Sequence, residues 1–223
     1  MTNLTSIIIP AHNEQDYIRA TIVSCQQQQF KAQRRPYELI VVANGCDPCD
    51  DTASIAEDLG ARVVQLAEGN VSLARNKGAE VACGDLLIFN DADTRVAPNY
   101  VDCISAATDR GIDYGATRAK AENWKLGTLA YVAMLNVGGW VLRESCGNMF
   151  VRRSSFELAG GFDEKLTKGE DTALSVALRK EGQQYDFLWK TYTIPSVRSA
   201  SLKRTIRDPW NYVKFMVTGK LKE

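Results

Sequence analysis

Asp85-Leu86-Leu87-Ile88-Phe89-Asn90-Asp91-Ala92-Asp93-Thr94 is the stretch that settles how this chain folds. An apolar run of strand length passes directly into two aspartates separated by one residue. A run without polar alternation marks a strand covered on both faces, as in a parallel sheet flanked by helices. Where such a strand ends and the chain turns, both carboxylates can face outward. Hard oxygen ligands there suit Mg²⁺ or Mn²⁺, which can in turn hold a diphosphate. Aspartates in a turn or capping a helix account equally well for an isolated D-x-D triplet. Placement at a strand terminus favours the ligand reading.

Outward from this stretch, the same grammar repeats. Ser6-Ile7-Ile8-Ile9 is a buried strand that stops at Pro10, and Glu14 to Gln29 is a helix with Tyr17, Ile18, Ile22 and Cys25 on one face. Leu39-Ile40-Val41-Val42 is a second strand, closed by the turn chemistry of Asn44-Gly45. Thr52 to Leu59 reads as a helix ending at Gly60, Arg62 to Leu66 as a strand, and Ser72 to Ala82 as a helix. Strand–helix alternation over about 90 residues predicts right-handed βαβ units in a mainly parallel sheet with helices on both faces. Such sheets bind ligands at the carboxyl ends of their strands, here Pro10–Glu14, Asn44–Asp47 and Asn90–Asp93. Further on, Trp124 to Val137 and Glu170 to Lys180 read as helices, and Gly147 to Val151 and Tyr185 to Trp189 as strands. No boundary to a second domain is evident.

The 223 residues are 45% hydrophobic and 24% charged, an ordinary globular composition. Lys+Arg and Asp+Glu both number 27, which argues against wholesale nucleic-acid binding. The balance is uneven, since Arg198 to Glu223 hold seven basic residues (Arg198, Lys203, Arg204, Arg207, Lys214, Lys220, Lys222) against Asp208 and Glu223. Six cysteines include one C-x-x-C pair, Cys46 and Cys49, and His12 is the only histidine. Without a second ligand pair a structural zinc site is not expected, and the cysteines read as free thiols of a reducing cytosol. The N-terminus has no secretion signal, so the expected location is cytoplasmic. Leu126 to Leu142 is uncharged but too short and too polar for a spanning helix of about 20 apolar residues, and reads as buried or membrane-interfacial.

Two further constellations carry acids and bases. Lys168-Gly169-Glu170-Asp171-Thr172 opens a helix, where free N–H groups stabilise any carboxylate. The functional alternative makes Asp171 a general base fixed at a rigid helix start. Ser72-Leu73-Ala74-Arg75-Asn76-Lys77-Gly78 opens another helix, whose Arg75 or Lys77 could reach a phosphate or simply form a solvated face.

Taken together these blocks resemble the family 2 glycosyltransferases of the GT-A fold, from about Thr5 to Arg204. Ser6 to Glu14 looks like that family's opening strand and nucleotide loop, and Val41 to Gly45 with Asp50-Asp51-Thr52 like its base-binding turn. Arg75-Asn76-Lys77-Gly78 with Gly84-Asp85 and Asp91-Ala92-Asp93 resembles its sugar-nucleotide and metal block. Gly160-Gly161-Phe162-Asp163 with Glu170-Asp171 resembles its acceptor side and catalytic base. The resemblance implies one α/β domain over 1–205, with a nucleotide-binding part over about 1–95 and an acceptor-binding part over about 96–205. Residues 206–223 would form a basic amphipathic segment.

The resemblance also implies roles. Pro10, Ala11 and Glu14 would lie along the nucleoside and Asn44 would face the base. Arg75, Lys77, Asp91 and Gly147 would touch substrate. Asp93, with Asp91, would bind Mn²⁺ or Mg²⁺, and Asp171, supported by Glu170, would be the base. An inverting transfer follows, from a nucleotide-diphospho-sugar to the hydroxyl of a sugar, lipid-linked or small-molecule acceptor. A nucleotidyltransferase and a degenerate nucleotide-sugar-binding module are the rival readings. Ala43 and Asn44 replace the acidic pair common at the base-binding turn, and no histidine follows His12 to serve as a further metal ligand. Three readings of the basic tail stand: a peripheral contact at the inner membrane face, a helix docked on the core, and a lid over the diphosphate.

Overall fold

Ile7, Ile8 and Ile9 are wholly buried, which consecutive residues of a strand achieve only when both faces of the sheet are covered. The computed structural model describes residues 4–30, 35–145, 147–166 and 168–196. Strand β1 (Thr5–Ala11) pairs in parallel with β2 (Tyr37–Asn44) and with β4 (Leu86–Asn90). It does not stop at Pro10 as the sequence suggests. The β1–β4 ladder ends at Ile8, so beyond it β1 pairs on one side only, the edge-like setting in which proline is tolerated.

The pleat sends alternate side chains to two cores. Ile7 and Ile9 meet helix α1 (Ile18–Gln26) through Ile18, Ile22 and Cys25, while Ile8 meets helix α3 (Val71–Val81) through Ala74 and Ala79. A Cβ on Gly78 of α3 would lie 2.3 Å from the Ile8 Cγ2, so that glycine lets the helix backbone rest on the sheet. Asn70 caps α3 by accepting the Leu73 N–H. Helix α2 (Thr52–Asp58) and strand β3 (Arg62–Leu66) complete the parallel half, and Gly60 closes α2 at φ +77°.

The second half adds β5 (Thr94–Val96), α4 (Tyr100–Asp109), β6 (Tyr114–Ala119) and α5 (Leu126–Val137). A π-helical turn (Gly138–Leu142), β7 (Asn148–Arg152), α6 (Arg153–Leu158), α7 (Glu170–Lys180) and β8 (Tyr185–Pro195) follow. Among the described residues the eight strands form one sheet in the order β3-β2-β1-β4-β7-β6-β8-β5, a single α/β domain with a mixed, mostly parallel sheet. Strand β7 is antiparallel to both its neighbours, β4 and β6. Its register with β4 pairs Asn90 with Asn148, so the start of β7 lies beside the end of β4.

The elements expected from sequence do not include β5, α4, β6 or α6, and they make α1 too long and β8 too short. Strand β6, Tyr-Gly-Ala-Thr-Arg-Ala, is poor in strand formers because the site has little room. A Cβ on Gly115 would lie 2.1 Å from the Asp186 carbonyl oxygen. Among the described residues no helix is long and apolar enough to cross a membrane. Cys25, Cys46, Cys49, Cys83 and Cys103 are unbridged thiols, as the cysteine pattern suggests.

Candidate active site

The carboxyl ends of β1, β2 and β4 open on one cleft of about 260 Å³, lined by Pro10, His12, Glu14, Asn44, Asp91 and Asp93 among others. Its first wall is fastened across two loops. Asn13, held at φ +54°, donates from Nδ2 to Asp47 and accepts the Asp47 N–H, each at 2.8 Å. The Glu14 N–H donates to Thr52 Oγ1, and His12 Nδ1 contacts the Asn44 carbonyl at 2.8 Å. Asn44 is buried and donates Nδ2 to the Ala11 carbonyl, which fixes its amide against β1. Ala11 itself is buried and does not line the cleft.

The cleft floor is built by the turn after β4. Asn90 donates to the carbonyls of Asp91 and Thr94, and Asn148 donates to Asn90 Oδ1 and to the Tyr100 hydroxyl. This buried amide network aims Asp91 and Asp93 into the cleft. Asp93 accepts the Ser196 hydroxyl at 2.8 Å.

Arg75 ties the floor to the far wall. Its guanidinium, 3% exposed, donates Nη2 to Asp91 at 3.0 Å and Nη1 to Glu170 at 2.8 Å and Asp171 at 3.0 Å. The Phe162 ring lies under it, 5.1 Å from the guanidinium carbon. Only a planar fork can bridge three carboxylates in this way. Glu170 and Asp171 stand at the N-terminus of α7, where Gly169 at φ +75° turns the chain into the helix. The Gly147 N–H donates to Asp171 Oδ2 at 2.8 Å. Gly147 itself sits at φ +73° with its α-carbon against Asp91, where a Cβ would lie 2.1 Å from Oδ2.

Burial pushes the Asp171 carboxyl above its usual range and Glu170 adds to this, while Arg75 and the Gly147 N–H oppose it. Asp91 is pushed up to about 7 by desolvation, against Arg75 and with the help of Asp171 and Asp93. Its side chain keeps 38% exposure at the cleft mouth, which tempers that shift. Negative charge is thus in excess here, the condition under which a cation binds.

Of the residues singled out from sequence, Pro10, Glu14, Asn44, Asp91 and Asp93 share the main cleft. Arg75, Gly147, Glu170 and Asp171 gather at its edge. Lys77 stands apart: it pairs with Glu80 one turn along α3 and lines neither this cleft nor the cavity beside it. Arg75 does not reach out as a phosphate ligand; it is committed to three carboxylates.

Glu144 went unrecognised. It is 2% exposed, accepts the Thr172 hydroxyl at 3.3 Å, and lines that smaller inner cavity with Asp91, Asp93, Tyr131 and Asn148. Burial pushes its carboxyl upward. A single acid in an irregular stretch carries no spacing signal.

A mixed sheet of this order, with carboxylates gathered where parallel strands end, defines a GT-A type α/β protein. The chain belongs to Glycosyl transferase family 2, whose family model matches residues 6–158. It is 32% identical over 124 residues to the uncharacterized glycosyltransferase YibD of Escherichia coli K12, covering 53% of this chain and 34% of that protein. It is 30% identical over 130 residues to the undecaprenyl-phosphate 4-deoxy-4-formamido-L-arabinose transferase of Proteus mirabilis, covering 53% of this chain and 37% of that one. The chain therefore spans little more than a third of the length of these curated relatives.

In fold it resembles S. aureus TarS 1-349 in complex with UDP, with a TM-score of 0.68 and 19% identity over 86% of this chain and 61% of that one. It also resembles the mannosyltransferase PcManGT of Pyrobaculum calidifontis in complex with GDP-Man and Mn²⁺. There the TM-score is 0.69 at 18% identity, over 86% of this chain and 56% of that one.

Proposed function

We propose that this chain is the catalytic domain of an inverting, divalent-metal-dependent glycosyltransferase that moves a sugar from a nucleotide-diphospho-sugar to an acceptor hydroxyl. The observation that carries this reading is Asp171: a carboxylate 13% exposed, oriented by Arg75 and the Gly147 N–H, at the edge of the cleft holding Asp91 and Asp93. As the acceptor oxygen attacks the sugar C1 and the C1–O bond to the diphosphate breaks, Asp171 takes the hydroxyl proton. One displacement inverts the anomeric configuration and needs no covalent sugar–enzyme bond. General-base assistance of this kind is worth about 10²–10⁴-fold. Glu170 shares the Arg75 fork and keeps Asp171 aligned.

The donor set fits Mn²⁺ or Mg²⁺. Asp93 and Asp91 are hard oxygen ligands on one cleft, and the excess of carboxylates around Asp91 is the charge such an ion relieves. When bound, the ion neutralises the charge that grows on the diphosphate leaving group. No three-ligand cluster exists among the described residues, so donor phosphates and water would complete the shell. Pro10, Glu14 and Asn44 hold the nucleoside, and Ala11 acts through its carbonyl; with Nδ2 bound to Ala11, Asn44 offers Oδ1 as its acceptor towards a base. The parts over 1–95 and 96–205 serve donor and acceptor respectively.

A lipid-linked acceptor suits the chain best, because its relatives include an undecaprenyl-phosphate transferase. Work at a membrane surface goes with such an acceptor, on the cytoplasmic side that the sequence reading expects. The basic segment 206–223, read from sequence as a membrane contact, a docked helix or a lid, lies outside the described residues. A nucleotidyltransferase is disfavoured because Pro10 to Glu14 is not a Gly-rich basic loop for a triphosphate, and a pure binding module has no use for Asp171.

Calorimetric titration with UDP, GDP, ADP, CMP and dTDP, each with and without Mn²⁺, tests the donor site. Tight, metal-dependent binding of one diphosphate is expected. Absence of binding to all five overturns the proposal.

A further inference from the structure

Helix α5 is uncharged and mostly apolar, yet it is not buried all round. Leu126, Leu129, Ala130, Ala133 and Val137 are exposed, and their spacing puts them on one side of the helix. Thr128 and Val132 are buried, and Tyr131 and Leu135 line the inner cavity with Asp91 and Asp93. One side of α5 therefore closes the candidate active site while the other presents hydrocarbon to water.

The apolar face continues beyond the helix. Trp140 and Val141 of the π-helical turn are 61% and 58% exposed, and Trp140 meets Trp189 of β8 with ring centroids 6.1 Å apart. That corner is closely packed. Phe187 packs on Gly139, where a Cβ would lie 2.4 Å from its ring, and the Tyr185 hydroxyl donates to the Gly139 carbonyl. Trp124, 91% exposed, precedes the other end of α5. Exposed apolar residues along one helix face, with Trp140, Val141 and Trp124 beyond its ends, are more than the scatter of single residues that any globular protein shows.

Charge selects the occupant. From Asn123 to Arg143 the only ionisable residues of either sign among Asp, Glu, Lys and Arg are Lys125 and Arg143, one at each end, and Lys190 follows Trp189. We propose that this face docks the protein on an anionic lipid bilayer. Apolar residues would enter the headgroup–acyl boundary, tryptophans would sit at the interface, and the three cations would meet lipid phosphates. A second copy of the chain fits less well, because a two-fold interface sets the same cations against one another. The idea draws on the transferase reading for one point only: a lipid-linked acceptor would then enter from the side of α5 opposite the donor.

Co-sedimentation of the full chain with vesicles of phosphatidylglycerol and phosphatidylcholine, and with phosphatidylcholine alone, tests the proposal. Binding to the anionic vesicles is expected, with Trp fluorescence quenched by brominated acyl chains. Leu126→Ser with Trp140→Ser should weaken partitioning by about tenfold or more, given the apolar area withdrawn. Lys125→Gln with Lys190→Gln should weaken binding to anionic vesicles selectively. Since all four side chains are exposed, circular dichroism and calorimetric nucleotide binding should stay as in the wild type.

Vesicle binding that survives both double variants overturns the proposal and assigns the membrane contact elsewhere, including residues 206–223. Loss of a concentration-dependent dimer in the first double variant, without vesicle binding by the wild type, also overturns it, in favour of a second copy. Nucleotide binding is read separately, so failure of the donor-site reading leaves the vesicle result interpretable, and the reverse holds.

Discussion

At the scale of the residue, Arg75 organises the candidate site. Its three carboxylate partners lie 16, 95 and 96 positions away in sequence. Replacing it with alanine leaves buried acids facing one another without a cation, and breaking such an arrangement costs about 3–5 kcal/mol. Urea unfolding at neutral pH should register that loss for Arg75→Ala, with a smaller deficit at acid pH, where the carboxylates protonate. Arg75→Lys should not restore activity, because a point charge cannot hold Asp91 and Asp171 at once.

Asp91 gives a second prediction at this scale. Its carboxyl is raised from 3.8 to about 7, so the folded chain binds that proton more tightly than the unfolded chain does. The stability it contributes is complete below 3.8 and is lost as pH rises through about 7. Without metal or nucleotide, the melting temperature of Asp91→Asn should therefore fall less across that window than that of the wild type. Asp171→Asn should lower the transfer rate by about 10²–10⁴-fold while leaving nucleotide affinity nearly intact. Near-normal turnover would remove Asp171 from the role of base. None of the ion pairs behind these expectations is visible in a local window of sequence, which is why Arg75 reads there as a phosphate ligand. The carboxylates themselves were legible, because each stands at an element boundary that the patterning marks.

Among the elements, α3 illustrates how a helix sets chemistry at a distance. Gly78 lets its backbone lie on Ile8, and Arg75 sits one turn earlier on the same rigid body. Gly78→Ala must push the helix off the sheet. Overpacking of this kind costs about 1–3 kcal/mol, and here it should also reduce turnover, because the guanidinium moves with the helix. A thermal melt and a donor-turnover assay on the same sample would separate the two effects. Unchanged turnover in a destabilised variant would show that the tie tolerates displacement. The strands β1, β2 and β4 could be read from sequence because burial on both faces demands continuous apolar runs. Strand β6 could not, because Gly115 and its small neighbours answer to the adjacent Asp186 backbone rather than to strand propensity. Helix α4 is a different case: Tyr100, Val101, Ile104 and Ala107 are buried at helical spacing, so its signal was present in the sequence.

For the whole molecule, the proposed donor and acceptor parts share one sheet and one ion-pair cluster. Asp91 and Arg75 come from the first part, Gly147, Glu170 and Asp171 from the second. Unfolding should therefore be a single transition, coincident by far-ultraviolet circular dichroism and by Trp fluorescence, although Trp124, Trp140 and Trp189 all report on the second part. Separated midpoints would argue for two independently folding units.

The place of β7 also bears on how the protein is made. Strand β4 is buried along its whole length, yet its neighbour on one side arrives only when residues 148–152 have been synthesised, 58 positions after Asn90. A nascent chain that has completed β1 to β4 thus carries an open, apolar strand edge with nothing in the same chain to pair with it. Such edges recruit other chains. The interval between β4 and β7 on the ribosome leaves that edge uncovered, and the antiparallel strand that brings Gly147 beside Asp91 is also the one that covers it.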